Sequence, residues 1–122
     1  MLTILTKPAS PDPLDAVFSA LGSSKRREMV TTLAFRPATV GQLAQESRLS
    51  LAAIHRHIRI LEDARLIQRK KVGRTNFLAI RRGALQQAQA WLGQYRTEWG
   101  SDQETLENYI AQFQNPTSKQ QP

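Results

Sequence analysis

Residues 39–80, TVGQLAQESRLSLAAIHRHIRILEDARLIQRKKVGRTNFLAI, change hydrophobic period part-way along, and that change decides the fold. Thr39 and Gln42 form a T-x-x-Q capping box, so a short helix starts near Val40, carries Val40, Leu43 and Ala44 inward, and fades at about Ser47. Ser50 caps a second helix over 51–64, in which Ile54, Ile58 and Leu61 make an inward stripe. Ala52, Ala53, His55, Arg56 and Arg59 populate its other side. After it the helical period gives way to two β-favouring runs, 66–72 and 75–80, around Gly73-Arg74, which reads as a hairpin with a basic tip.

Two helices joined by a short turn match a helix-turn-helix, whose second helix enters the major groove of duplex DNA with its first residues toward the base edges. The residue types suit that docking. Ala52 and Ala53 permit close approach and apolar contact with a thymine methyl, while His55, Arg56 and Arg59 offer donors to guanine edges or phosphates. Free N–H groups at the two helix starts, around Thr39 and Gln42 and around Ser50 and Leu51, can hold phosphates. Arg69, Lys70, Lys71 and Arg74 make a positive wing for the backbone or the minor groove.

Working outward, Asp12 caps and Pro13 opens a helix to about Leu21, with Leu14, Val17, Phe18 and Leu21 on one face. Ser23 or Ser24 caps a helix over 25–35 that presents Met29, Val30 and Leu33 and stops at Arg36-Pro37. Downstream, Leu85, Ala88, Leu92, Tyr95, Trp99, Leu106, Tyr109 and Phe113 keep an a/d heptad register that Asp102 interrupts. One kinked helix fits this register, and so does a pair split by Gly100 and recapped by Ser101 and Glu104; the continuous helix is preferred. The expected organisation is a flexible arm over 1–11, a DNA-binding domain over 12–82, a dimerisation helix or helix pair over 83–114, and a disordered tail over 115–122. The fold class is mainly α with a small β-hairpin wing, in the order α-α-α-α-β-β-α. No internal repeat is visible.

Charge and composition narrow the function. The chain of 122 residues carries +7 overall, yet residues 23–82 alone hold fourteen basic side chains against four acidic ones. Residues 1–22 and 83–122 are mildly acidic, so the positive centre points to a polyanion partner. The chain has no cysteine, which excludes disulfides, thiolate metal sites and thiol redox chemistry. No apolar run has the length of a membrane span, and MLTILT is too short for a signal peptide, so a soluble cytoplasmic domain is expected. An enzyme lacks its parts here: there is no Ser-His-Asp arrangement, no phosphate-binding glycine loop, and no paired carboxylates beyond Glu62-Asp63.

The stretch AVFSALGSSKRREMVTTLA (16–34), followed by 39–80, resembles the ArsR-type winged-helix transcriptional repressors. Ala20, Leu21, Arg26 and Arg27 fit the family's first pattern. In the second helix of the motif Arg56, His57, Leu61 and Leu66 match, with Ile58 for leucine and Arg59 for lysine. His55 in place of the usual serine and Leu51 in place of glutamine depart from it on the DNA-facing half, so the family's base preferences do not transfer. Arg65 stands where a glycine is usual.

The resemblance implies a homodimeric repressor on an inverted-repeat operator, with the first and last helices forming the interface. Leu14, Phe18, Leu85, Ala88, Leu92, Tyr95, Trp99 and Leu106 are the candidates for it. The family's thiolate pair would fall at Thr39 and Gly41, and residues 83–113 contain no histidine for its alternative site. His55 and His57, spaced i, i+2, point to different sides of a helix and cannot share one ion. His57 reads as a semi-buried packing residue and His55 as an ordinary DNA-facing one, with a pH-sensitive DNA affinity through His55 as the lesser alternative. No metal and no cofactor are therefore expected. Trp91, Tyr95 and Trp99 read as interface core rather than as an effector pocket, and the sequence names no small-molecule effector. The alternative functions are a winged-helix protein-interaction module and an RNA binder. Against them stand the basic second helix and a hairpin with Phe77 as its one stacking ring.

Overall fold

Local sequence rules account for most element boundaries in the computed structural model, which describes residues 12–95 and 101–114. Helix α1 (Pro13–Ala20) starts where the Asp12 carboxylate accepts the Leu14 N–H at 2.8 Å. Helix α2 (Ser24–Phe35) is capped by Ser23 and ends where Arg36 turns extended before Pro37. A two-residue strand β1 (Ala38–Thr39) leads into α3 (Val40–Ser47), and α4 (Leu51–Asp63) follows. Strands β2 (Ile67–Val72) and β3 (Thr75–Ile80) form the wing, followed by α5 (Arg82–Gly93) and α6 (Asp102–Gln114).

The sheet has the order β1-β3-β2, all antiparallel, so the hairpin gains a third strand. Ala38 and Thr39 pair with Leu78 and Phe77. Two residues carry no period, which is why β1 has no signature of its own. At the hairpin tip Val72 pairs with Thr75 across Gly73-Arg74. Gly73 takes φ +64° and Arg74 stays out of the positive region, the pattern of a type II′ turn that demands glycine first.

The core lies where α1, α2, α3, α4 and the sheet meet. Ile54, Ile58, Leu61, Leu66 and Leu78 are fully sealed, joined by Val17, Ala20, Met29, Leu33, Leu43 and Ile67. Each large side chain so buried contributes roughly 1.5–3 kcal/mol. Among the described residues no polar or charged side chain is buried. No helix among them is long and apolar enough to cross a membrane.

The structure corrects several details. On α1 the buried stripe is centred on Val17 and Ala20, three residues apart, so Phe18 falls to its flank and stays exposed. Ala88, expected on the face between protomers, is buried in its own chain's core, with Leu85 half-buried against that core. The first compact unit accordingly runs to Ala90, and the second begins at Trp91. The continuous C-terminal helix is not formed. Helix α5 ends at Gly93, and α6 begins beyond Ser101, whose hydroxyl accepts the Glu104 N–H at 3.3 Å while Glu104 Oε2 accepts the Ser101 N–H at 3.1 Å. Trp99, the arm over 1–11 and the tail over 115–122 lie outside the described residues.

Helix α4 ends in a Schellman motif. The Leu66 N–H reaches the Leu61 carbonyl at 3.0 Å and the Arg65 N–H reaches that of Glu62 at 2.9 Å, while Leu61 and Leu66 are both sealed in the core. The motif places residue 65 in the left-handed region, at φ +59°, although it bears a side chain. Replacing Arg65 by glycine is therefore expected to raise stability by about 0.5–1 kcal/mol, the relief of backbone strain being partly offset by glycine's freedom in the unfolded chain. The check is a higher urea midpoint at unchanged m; an unchanged or lower midpoint would show that Arg65 carries no strain.

Candidate nucleic-acid interface

Helices α3 and α4 and the turn between them, where Arg48 takes φ +57°, form the helix-turn-helix. Its candidate polar contacts at the helix starts already hold the caps. Thr39 Oγ1 accepts the Gln42 N–H at 3.1 Å, Gln42 Oε1 accepts the Thr39 N–H at 2.9 Å, and Ser50 Oγ accepts the Ala53 N–H at 3.2 Å. Each keeps a donor to spare: the two hydroxyl protons and the Gln42 amide NH2. These are suitable for a phosphate at either helix start.

Burial of Ile54, Ile58 and Leu61 fixes the rotation of α4 about its axis and turns Leu51, Ala52, His55, Arg56 and Arg59 outward. Leu51, at the first helical position, is 59% exposed. Two details depart from the sequence reading: Ala53 is half-buried, and Ile60 joins the outward face. His55, Arg56 and Arg59 line a cleft with Glu62 of α4 and Arg69 of β2, which brings the helix and the base of the wing to one surface. Along β2 the side chains alternate, so Arg69 and Lys71 share the face of buried Ile67, while Lys70 lies on the opposite one. The two lysines therefore address different surfaces, and Arg74 sits at the tip.

The basic block is not uniform. Arg56, Arg59, Lys70, Lys71 and Arg74 make no ion pair among the described residues. Four other cations have structural partners. Arg69 is held by Glu62. Lys25 lies 3.6 Å from Glu28 and 3.4 Å from the Ser47 carbonyl, and Arg27 donates to the Leu21 carbonyl at 2.7 Å. Arg26 joins two elements: its Nε donates to the Ala20 carbonyl at 2.7 Å, Nη2 to that of Ser19 at 3.3 Å, and Nη1 to His57 Nδ1 at 3.2 Å. Guanidinium has no acceptor, so His57 Nδ1 must be unprotonated to take this bond. Sequence reasoning missed both Arg26 and Glu62 as organising residues. Arg26 meets its histidine partner across 31 positions, a separation that no local pattern announces.

The sequence model for bacterial regulatory proteins of the arsR family matches residues 23–69, from the cap of α2 to Arg69. A crystal structure described as an ArsR family transcriptional regulator is 34% identical, with a TM-score of 0.66, over 68% of this chain and 91% of that one. The chain belongs to the ArsR family. Members are transcriptional regulators and not enzymes, in line with the missing catalytic parts. A further relative, the HTH-type transcriptional regulator Rv2034 of Mycobacterium tuberculosis, is 36% identical over 59 residues, 48% of this chain. That match spans about half, 55%, of the relative's own length. The ArsR-like transcriptional regulator from Rhodococcus sp. RHA1, 24% identical with a TM-score of 0.59 over 88% of both chains, shares the fold.

The Arg26 contact has a pH signature. Burial, then the charges of Arg26 and Arg56, hold the His57 pKa below its usual 6.5. The folded protein thus binds fewer protons than the unfolded chain just below that value. His57 leaves stability intact above about pH 6.5 and lowers it as pH falls from there toward the depressed folded pKa. Urea midpoints taken between about pH 7.5 and 5.5 are expected to fall more steeply for the parent than for His57→Gln. Parallel curves would remove His57 as the titrating group.

Proposed function

We propose that this ArsR-family chain is a homodimeric repressor that binds an inverted-repeat DNA operator and does not respond to a metal. The observation that carries the reading is the outward face of α4, where Arg56 and Arg59, without ion-pair partners among the described residues, stand beside a wing bearing Lys70, Lys71 and Arg74. In this reading α4 enters the major groove. Leu51 and Ala52 meet base edges and thymine methyls there, His55, Arg56 and Arg59 donate to bases or phosphates, and Thr39, Gln42 and Ser50 hold backbone phosphates. Half-buried Ala53 acts through its size, by letting the helix approach closely.

Apolar side chains exposed in the single chain support self-association. Leu92 and Tyr95 are 56% and 69% exposed, and on α6 Leu106, Tyr109, Ile110 and Phe113 follow helical spacing at 42–60% exposure. Phe18 adds an exposed ring on α1. Trp99, which shares the heptad register, belongs to the same reading. A two-fold dimer presents two recognition helices about one DNA turn apart, hence the inverted repeat, and occupancy near a promoter blocks polymerase. Metal is left out of the switch because thiolates are lacking and because the two histidines diverge, His55 to the surface and His57 to Arg26.

The deciding experiment is selection of bound sites from a random duplex library at about 150 mM salt. An enriched inverted repeat is the expected result; bound but unenriched DNA would reduce the interface to phosphate contacts. On the enriched site Arg56→Ala should cost about 1–3 kcal/mol and relax preference at one position, while Lys71→Ala should weaken all duplexes alike and lower the salt slope by about one. Identical, salt-only effects from both would remove base reading from Arg56. Leu106→Asp, a change on a side chain 60% exposed in the single chain, should give folded monomers in sedimentation; an unchanged dimer would move the interface elsewhere.

A further inference from the structure

We propose that Glu62 is a positioning residue for DNA engagement: its carboxylate, held at both oxygens by Arg69, clamps the wing to the end of the recognition helix and leaves Arg59 unpaired. The second half rests on the DNA-binding reading above; the clamp concerns the free protein alone. Arg69 Nε donates to Glu62 Oε2 at 3.1 Å and Nη2 to Oε1 at 2.8 Å, a two-pronged pair with side chains 30% and 29% exposed. Parallel prongs define direction as well as distance, which a lysine cannot do.

The wing needs such a clamp. Ile67 is the one buried residue of β2, every later position being exposed, and β1 pairs with β3 only at Leu78 and Phe77. Residues 70–76 therefore extend beyond the buried anchors of the sheet, with the Arg69–Glu62 pair at their base. The turn between α4 and β2 is set by the backbone bonds of Arg65 and Leu66, so the clamp acts on a strand that already leaves the helix at a fixed angle.

Charge supplies the other half. His55, Arg59 and Glu62 follow one another at i, i+4 and i+7 on the outward ridge of α4, and Arg59 lies within reach of the carboxylate. With both carboxylate oxygens inside the Arg69 fork, Arg59 makes no ion pair among the described residues. A bare carboxylate on a DNA-facing surface would repel phosphates, so simple electrostatics says that removing it tightens binding. The clamp says the opposite.

Three variants separate these: Glu62→Gln, the charge-conserving Arg69→Lys, and the swap Glu62→Arg/Arg69→Glu. In the free protein, amide exchange across residues 70–76 is expected to speed about tenfold in both single variants, with the core amides of α4 unchanged and the swap restoring protection. On a 30-base-pair duplex of randomised sequence, Glu62→Gln is expected to bind roughly three- to tenfold more weakly and lose about one from the salt slope, despite its gain in positive charge. Unchanged exchange in both single variants overturns the clamp. Tighter binding by Glu62→Gln with an undiminished slope overturns its part in DNA engagement. If the parent itself does not bind the duplex, the DNA-binding reading fails, and the exchange measurement still decides whether Glu62 holds the wing.

Discussion

Sealing Ile54, Ile58 and Leu61 in the core fixes the rotation of one helix, and the candidate interface depends on that rotation. A turn of α4 by one residue's spacing, about 100°, would bring charged or polar side chains into an interior that otherwise holds none. The penalty for burying a guanidinium without a partner far exceeds the net stability of an ordinary domain's individual contacts. The apolar stripe therefore selects the outward set of Leu51, Ala52, His55, Arg56 and Arg59 by exclusion. The Schellman turn at Arg65 then transmits the helix's orientation to β2, because Leu66 and Ile67 must enter the same core.

A basic surface built this way is a division of labour among cations. Arg26 and Arg27 complete the last carbonyls of α1, and Arg26 also ties them to His57 in the middle of α4. Arg69 neutralises Glu62. Among the cations without ion pairs, two arginines stand on the outward face of α4 and three cations on the wing. Net charge measures attraction to a polyanion, whereas the free subset determines where on the surface that attraction acts.

Much of this was legible in the sequence because it is local. The caps at Asp12, Ser23, Thr39 and Ser50 use bonds between residues two or three apart, and each stands where the residue pattern predicts. The helix-to-strand change of period and the Gly73 turn are likewise short-range. Errors begin where a position has two compatible uses. Ala88 fits a heptad seam and an intrachain core equally well by spacing, and so does a continuous helix through residues that an S-x-x-E box recaps. Phe18 satisfies the period of α1, yet Ala20 is the residue that is buried and Phe18 stays exposed.

The sequence by itself determined the first four helices, the hairpin after them and most of the outward residues on α4, Ala53 and Ile60 excepted, since period, capping and turn chemistry depend on neighbours within a few positions. Tertiary structure alone decided that β1 exists, that Arg26 meets His57, and that Glu62 takes Arg69 rather than Arg59. Those outcomes follow from how separate elements are brought together, and a long flexible cation takes whichever acceptor packing places within its reach.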